Sequence, residues 1–212
     1  MMARPDLAPL AAEFYLDRPD AVARKLLGKL LIRKIGEESL IGRIVEVEAY
    51  LGQEDPAAHA FVGVTARNEV LFGPPGRAYV YFIYGMHYCL NVSCEPEGRG
   101  GGVLLRAIEP IAGLATMARL RKLSPTAPPR LLASGPGRLC QALGITRLEH
   151  NGTDVTLPES PLQIADDGFR PAGITVTPRI GIRKASGLPL RFFIAENRFV
   201  SASLSGTILS TS

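Results

Sequence analysis

The chain has 212 residues, of which 46% are hydrophobic, and this length fits one domain with a sizeable core better than two domains. Three cysteines and three histidines without zinc-like spacing argue against a disulfide framework and a metal site, so we expect neither a metal nor another cofactor. Residues 1–110 contain 12 Lys and Arg against 14 Asp and Glu, whereas residues 111–212 contain 12 against 6, which suits either a solvated surface or a polyanionic partner.

The predicted elements combine helices with β-hairpins. In chain order they are a helix ending before Gly28, a hairpin of 30–35 and 40–50, a second hairpin of 79–84 and 87–93, a helix over 109–123, a helix over 134–144, and strands at 162–165 and 191–196. We expect a single α+β domain over residues 1–212, with an antiparallel-dominated mixed β-sheet, surrounding helices and a protruding β-hairpin. Its ordered core spans about 14–201, and 202–212 form a flexible tail.

The run 44–50 carries the first candidate chemistry. Period-two alternation puts Glu46, Glu48 and Tyr50 on one strand face, a pattern that in isolation favours an amphipathic strand with a wet face and needs supporting neighbours to indicate a site. His59 follows Glu48 after a turn-prone segment and could form the wall of a pocket. In the second hairpin, Tyr84 lies beside the turn, where a large ring could be buried by wedging between stacked bases.

Several segments, in order and with similar spacing from about Phe14 to Ser201, together resemble one family. They are 43–52 (RIVEVEAYLG), 55–59, 67–68 (RN), 75–76 (PG), 79–86 (YVYFIYGM), Asn91, 103–110 (VLLRAIEP) and 134–143 (SGPGRLCQAL). The chain resembles the alkyladenine (3-methyladenine) DNA glycosylases. The resemblance implies a DNA-repair enzyme that flips a damaged purine from double-stranded DNA and hydrolyses its N-glycosidic bond.

The resemblance also implies roles for individual residues. Glu48 would be the general base for water, with Arg106 holding that water, and Tyr84 would intercalate into the vacated base stack. The residues expected to contact the flipped base are Tyr50, His59, Tyr81, Asn91 and Ile180, with Asn91 discriminating against purines that carry a 2-amino group. The residues expected to contact the DNA backbone are Arg67, Gly85, Met86, Arg138 and Arg179.

These roles agree with the chemistry that the residues can perform. A purine alkylated at N3 or N7 is already a cationic leaving group, so a carboxylate can both accept the water proton and stabilise the developing positive sugar. The pocket segments contain no lysine, which argues against a Schiff-base nucleophile and predicts a monofunctional enzyme that leaves an abasic site. Two alternatives stay open: a non-catalytic DNA-binding module, and an N-glycoside hydrolase of free nucleosides.

The chain departs from the mammalian pattern at two places. The loop 60–66 is one residue shorter, and His87 replaces an aromatic ring, so the preference among methylated, deaminated and etheno purines is not transferred. The N-terminus lacks a secretory signal and no apolar run is long enough for a membrane span, so we expect a cytoplasmic monomer, nucleoid-associated in a bacterium.

Overall fold

A computed structural model describes residues 7–83, 85, 87–201 and, for the backbone, 207–210. Within this part of the chain there are nine strands and six α-helices. The strands are β1 (Leu30–Ile35), β2 (Glu38–Tyr50), β3 (Ala78–Ile83), β4 (His87–Cys94), β5 (Gly101–Ala112), β6 (Leu162–Ala165), β7 (Gly173–Thr177), β8 (Arg191–Ile194) and β9 (Thr207–Ser210). The helices are α1 (Pro19–Leu26), α2 (Glu69–Phe72), α3 (Leu114–Leu120), α4 (Arg130–Ala133), α5 (Pro136–Ala142) and α6 (Arg147–His150).

The strands form one sheet in the order β3-β4-β5-β2-β8-β7-β9, and β1 pairs with both β2 and β6. Every pairing between the described strands is antiparallel. The predicted α+β class is therefore confirmed, and the sheet contains no parallel pair among these strands. Residues 207–210 of the predicted flexible tail pair with β7, while the rest of the tail lies outside the described residues.

The long strand β2 divides the molecule into two faces. Val45, Val47 and Ala49 are fully buried in the main hydrophobic core, as the alternation of the sequence predicts. The helices α1 and α5 add Leu26 and Leu139 to the same core. The opposite face of β2 is also buried, but it carries carboxylates, and their charges must be compensated within the protein.

The predicted helix over 109–123 is wrong in its first part. Residues 109 and 110 belong to β5, where Glu109 pairs with Arg43 and Pro110 with Gly42, and the helix α3 starts only after Gly113 in the left-handed region. Glu-Pro is typical of a helix start, but here both residues pair with the N-terminal half of β2 and therefore continue the strand β5. Tertiary pairing therefore overrides the local preference.

Candidate active site

One row of side chains crosses the sheet on the face opposite to the main core. Direct pairing connects Glu48 to Leu104 and Arg191, and the row continues on either side through Asn91 and Thr177. Paired residues in adjacent strands point to the same face, so this register collects polar groups from distant parts of the chain. The site is therefore built on hydrogen-bonded strands, which hold side chains more rigidly than loops do.

Glu48 lies at the centre of this row and is completely buried. Its Oε1 accepts a hydrogen bond from the backbone N–H of Ile180 at 2.7 Å and lies 3.2 Å from Nη1 of Arg106. Its Oε2 accepts a hydrogen bond from the Tyr50 hydroxyl at 3.0 Å. A carboxylate oxygen can accept two hydrogen bonds, so Oε2 retains capacity for a water beside Tyr50.

Arg106 connects Glu48 to the second carboxylate of the strand. Its Nε donates to Oε1 of Glu46 at 2.9 Å, and the Nε of Arg191 donates to the same oxygen at 2.8 Å. Burial by itself raises the pKa of Glu46, but the two guanidinium charges and the hydrogen bonds from Ser201 outweigh it, so this pKa lies below its ordinary value. Two carboxylates and two guanidinium groups thus balance one another inside the protein.

A cavity of about 220 Å³ lies beside this cluster. Pockets for drug-sized ligands span about 300–1,000 Å³, so this smaller volume suits a ligand such as a single nucleobase. The residues that line it come mainly from β2, β3, β4 and the segment after β2, and they are Tyr50, Ala57, Ala58, His59, Arg67, Leu71, Tyr79, Tyr81, Ile83, Asn91, Gly100, Gly102 and Ile182. Glu48 is not among these lining residues but accepts a hydrogen bond from one of them, Tyr50.

Aromatic rings form much of the cavity wall. The rings of His59 and Tyr81 meet edge to face with their centroids 4.5 Å apart, and Tyr79 and Tyr81 lie 5.5 Å apart. His59 Nδ1 is 2.9 Å from the Tyr79 hydroxyl. Burial lowers the pKa of His59 and the charge of Arg67 lowers it further, so both effects favour the neutral imidazole. The wall therefore combines aromatic rings with the guanidinium of Arg67.

A buried ion pair between Asp55 and Arg179 connects the segment that follows β2 to the segment that contains Ile180, whose N–H binds Glu48. Arg179 binds the carboxylate of Asp55 through both Nη atoms and donates to the carbonyl of Ala49 at 3.0 Å, and neither charged side chain has any exposed surface. Asp55 also accepts from the N–H groups of Leu51 and Ala57. The prediction that Arg179 contacts the DNA backbone is corrected here, because a buried guanidinium cannot reach a phosphate.

The other predicted residues fall into three groups. Asn91 lines the cavity and donates to the Tyr79 carbonyl at 3.3 Å, whereas Ile180 meets Glu48 through its backbone. Arg67 and Arg138 are exposed, as is Gly85 in the hairpin turn with a φ of 69°. Tyr84 and Met86 lie outside the described residues, so the intercalation by Tyr84 and the DNA contact by Met86 stay predictions.

Comparison with known proteins identifies the family. The profile described as "Methylpurine-DNA glycosylase (MPG)" matches residues 13–198, which is most of the chain. The chain belongs to this family. The resemblance inferred from the sequence motifs is thereby confirmed, and the family is one of DNA-repair glycosylases.

Relatives of this methylpurine-DNA glycosylase family member match over nearly their whole length. A protein of Koribacter versatilis (strain Ellin345) is 58% identical over 195 residues, covering 92% of this chain and 94% of the relative. A protein of Methanoculleus marisnigri (strain ATCC 35101 / DSM 1498 / JR1) is 50% identical over 196 residues, covering 91% and 98%. Both carry the name "Putative 3-methyladenine DNA glycosylase".

The two positions expected from the sequence to differ from the mammalian pattern occupy different places in this family member. His87 does not line the cavity but packs against Gly137 of α5, where an added Cβ would lie 3.1 Å from the imidazole Cγ. The loop 60–66 is held by Asn68, whose side chain donates to the carbonyls of His59 and Gly63 and accepts from the N–H of Thr65. Asn68 thus connects this loop to His59, which lines the cavity.

Within residues 7–83, 85 and 87–201, no three His, Cys, Asp or Glu side chains converge in a way that could hold a metal ion. None of the described helices combines the length and the apolar character that crossing a membrane requires.

Proposed function

We propose that this glycosylase flips an alkylated or otherwise damaged purine out of double-stranded DNA and hydrolyses its N-glycosidic bond with a water activated by Glu48. The product is a free base and an abasic site. The observation that carries the proposal is the Glu48 carboxylate, which is fully buried, fixed by Ile180, Tyr50 and Arg106, and hydrogen-bonded to a residue that lines a base-sized cavity.

The cavity supports selection of a damaged purine. The faces of aromatic rings attract electron-poor and cationic partners, and alkylation at N3 or N7 makes a purine cationic. The lowered pKa of His59 avoids adding a second positive charge to that of Arg67 in the same wall. Asn91 lies in the same wall, where its amide could discriminate between purines with and without a 2-amino group.

The carboxylate supports the hydrolytic step in two ways. Glu48 Oε2 can accept the proton of a water as the water attacks the sugar C1′, while the electron pair of the glycosidic bond leaves with the purine. The negative charge of Glu48 also stabilises the positive sugar that develops in the transition state. General-base catalysis contributes about 10²–10⁴-fold, so base flipping and the fit of the cavity supply the rest of the rate enhancement.

The exposed arginines support binding of the duplex. Arg67 lies at the rim, with its guanidinium 5.9 Å from the Tyr81 ring, and Arg138 lies at the exposed side of α5. Tyr84 would fill the space that the flipped base leaves. No lysine is among the residues that line the cavity in the described chain, which supports a monofunctional reaction without strand cleavage. We propose that one copy of the chain acts alone.

The decisive experiment measures base release. Pure protein is incubated in EDTA with duplexes that contain 3-methyladenine, hypoxanthine or ethenoadenine, and abasic sites are revealed by hot alkali. Glu48→Gln should abolish release and retain binding of the damaged duplex. Glu38→Gln is the matched control, because Glu38 lies on the same strand but is exposed. Equal rates for Glu48→Gln and the unmutated protein would refute the role of Glu48.

The same measurements separate the two alternatives. A DNA-binding module would bind damaged duplexes without releasing a base from any of them. A nucleoside hydrolase would act on free nucleosides and would show no dependence of DNA binding on salt. If about 4–6 phosphates are neutralised, log K for the duplex should fall against log[salt] with a slope of about −4 to −5.

A further inference from the structure

The carboxylate of Glu46 lies in the site but takes no part in the mechanism described above. It is fully buried and accepts three hydrogen bonds, from the Nε of Arg106, the Nε of Arg191 and the backbone N–H of Ser201 at 2.6 Å. Burying an ionised carboxylate costs free energy unless charges and donors compensate it. This compensation uses the same arginine that contacts Glu48.

The contacts of Arg106 define its orientation. A guanidinium is planar and its N–H groups point in fixed directions, so one strong contact at Nε sets where the Nη atoms point. Nε meets Glu46 at 2.9 Å, Nη1 meets Glu48 at 3.2 Å, and Nη2 lies 3.4 Å from the Ser201 hydroxyl. Glu46 therefore accepts a hydrogen bond from Arg106, whereas Glu48 meets Arg106 only as an ion pair through Nη1.

Removing the charge of Glu46 would change this arrangement. Among the described residues, Arg106 would then keep one carboxylate partner, Glu48, and a guanidinium prefers to meet a carboxylate with two parallel N–H groups. Rotation of Arg106 into such a bidentate pair would bring a second N–H to Glu48. It would occupy the acceptor capacity of Oε2 that the proposed water needs.

We propose that Glu46 is a positioning residue for base excision: through its hydrogen bond with Nε it holds the guanidinium of Arg106 so that only Nη1 pairs with Oε1 of Glu48, and Oε2 stays available for the water. This inference rests on the proposed function of Glu48. Glu46 itself touches neither the water nor the substrate and acts through Arg106. Arg191 supports Glu46 from the other side and binds Thr177 with its Nη1 at 3.1 Å.

The first test separates the chemical step from binding. Single-turnover rates of hypoxanthine release and Kd values for the same duplex are measured for the unmutated protein and for Glu46→Gln. We expect the rate to fall about 100-fold, since small misplacements of reacting groups have effects of this order, and the Kd to stay within about twofold. A rate close to that of the unmutated protein, or equal losses in rate and binding, would overturn the proposal.

A double-mutant cycle with Arg106→Ala then tests whether Glu46 acts through Arg106. If it does, Glu46→Gln should change the rate of the Arg106→Ala protein less than about threefold, because the group that Glu46 orients is gone. A purely structural role of Glu46 would give the same fold-loss in both backgrounds. Losses that simply multiply would therefore contradict the proposal.

The matched control is Ser160→Ala. It removes a buried hydrogen bond from the Ser160 hydroxyl to the carbonyl of Leu162, outside the cluster, and leaves every contact of Arg106 in place. Its Tm should fall while its single-turnover rate stays within about twofold of the unmutated protein. If Glu46→Gln does not fold, Glu46→Asp replaces it, because it retains the charge but retracts the carboxylate from Arg106. An unchanged rate for Glu46→Asp would likewise overturn the proposal.

The outcomes distinguish this inference from the function on which it rests. Absence of base release by the unmutated protein, or full activity of Glu48→Gln, contradicts the proposed function itself. Base release that requires Glu48 but does not respond to Glu46→Gln contradicts only the positioning role of Glu46.

Discussion

Asp55→Asn should destabilise the protein strongly, because it breaks an ion pair that has no contact with solvent. Both side chains of the Asp55 and Arg179 pair are fully buried, and removing one partner of such a pair costs about 3–5 kcal/mol by leaving the other charge uncompensated. An amide also places an N–H donor against a guanidinium donor. For a chain of this length the loss corresponds to a Tm lower by about 6–20 °C.

Urea unfolding followed by circular dichroism measures the effect at pH 7. The control is Lys25→Gln, which breaks the ion pair with Asp17, whose partners are 49% and 57% exposed and which should contribute about 0–1 kcal/mol. The reasoning would be refuted if Asp55→Asn lowered the free energy of unfolding no more than Lys25→Gln does. The same variant should lower the rate of base release, because Arg179 precedes the Ile180 N–H that holds Glu48.

The difference in the free energy of unfolding between the unmutated protein and Asp55→Asn should depend on pH in a defined direction. Burial raises the pKa of Asp55, but the hydrogen bonds from Arg179, Ala57 and Leu51 and the charge of Arg179 outweigh it, so the folded-state pKa lies below the ordinary value of 3.8. The stabilisation by ionised Asp55 is therefore complete above pH 3.8 and is lost as the pH falls through the folded-state pKa. The difference in the free energy of unfolding between the unmutated protein and Asp55→Asn should therefore become smaller below pH 3.8. A larger difference there would contradict this direction.

Three further predictions concern binding, rate and stability. Tyr50→Phe removes a hydrogen bond to a charged group, worth about 1.5–3 kcal/mol, so single-turnover base release should slow about 10- to 100-fold; an unchanged rate would exclude the role of the hydroxyl. Arg138→Ala should reduce the salt slope of duplex binding by about 1 in a titration, and an unaltered slope would remove Arg138 from the phosphate contacts. Gly52→Ala should lower the stability by about 1–3 kcal/mol in urea, because φ is 65° and the new Cβ would lie 2.5 Å from the Arg99 carbonyl oxygen; equal stability would show that the turn adapts.

Local patterns in the sequence predicted much of the sheet. The hairpin 79–84 and 87–93 corresponds to β3 and β4, and the strands predicted at 30–35 and 162–165 have the bounds that the structure gives. In these segments β-branched and aromatic residues, period-two alternation and turn residues all agree. The strands β7 and β9 were not predicted, because their short segments gain their conformation from pairing with a neighbouring strand.

The site was predicted in part. Alternation placed Glu46, Glu48 and Tyr50 on one face, and the structure confirms that they share it. The alternation pattern did not reveal that Glu46 and Glu48 share one arginine, because Arg106 comes close to them only through the pairing of β2 with β5. The excess of positive charge in the second half of the chain also overstates the charge of the surface. Arg179 and Arg191 contribute to that excess, but both are buried in ion pairs and are not exposed to solvent.

The hydrogen bond from Ile180 to Glu48 uses a main-chain donor, and this has a consequence for how the site can change. Every amino acid except proline carries that N–H, so replacing the side chain at position 180 can alter the neighbouring surface while the donor to Glu48 persists. The side chain at 182 lines the cavity only two residues further on. Variation along this short segment can thus reshape what the enzyme accepts without detaching the carboxylate from its support.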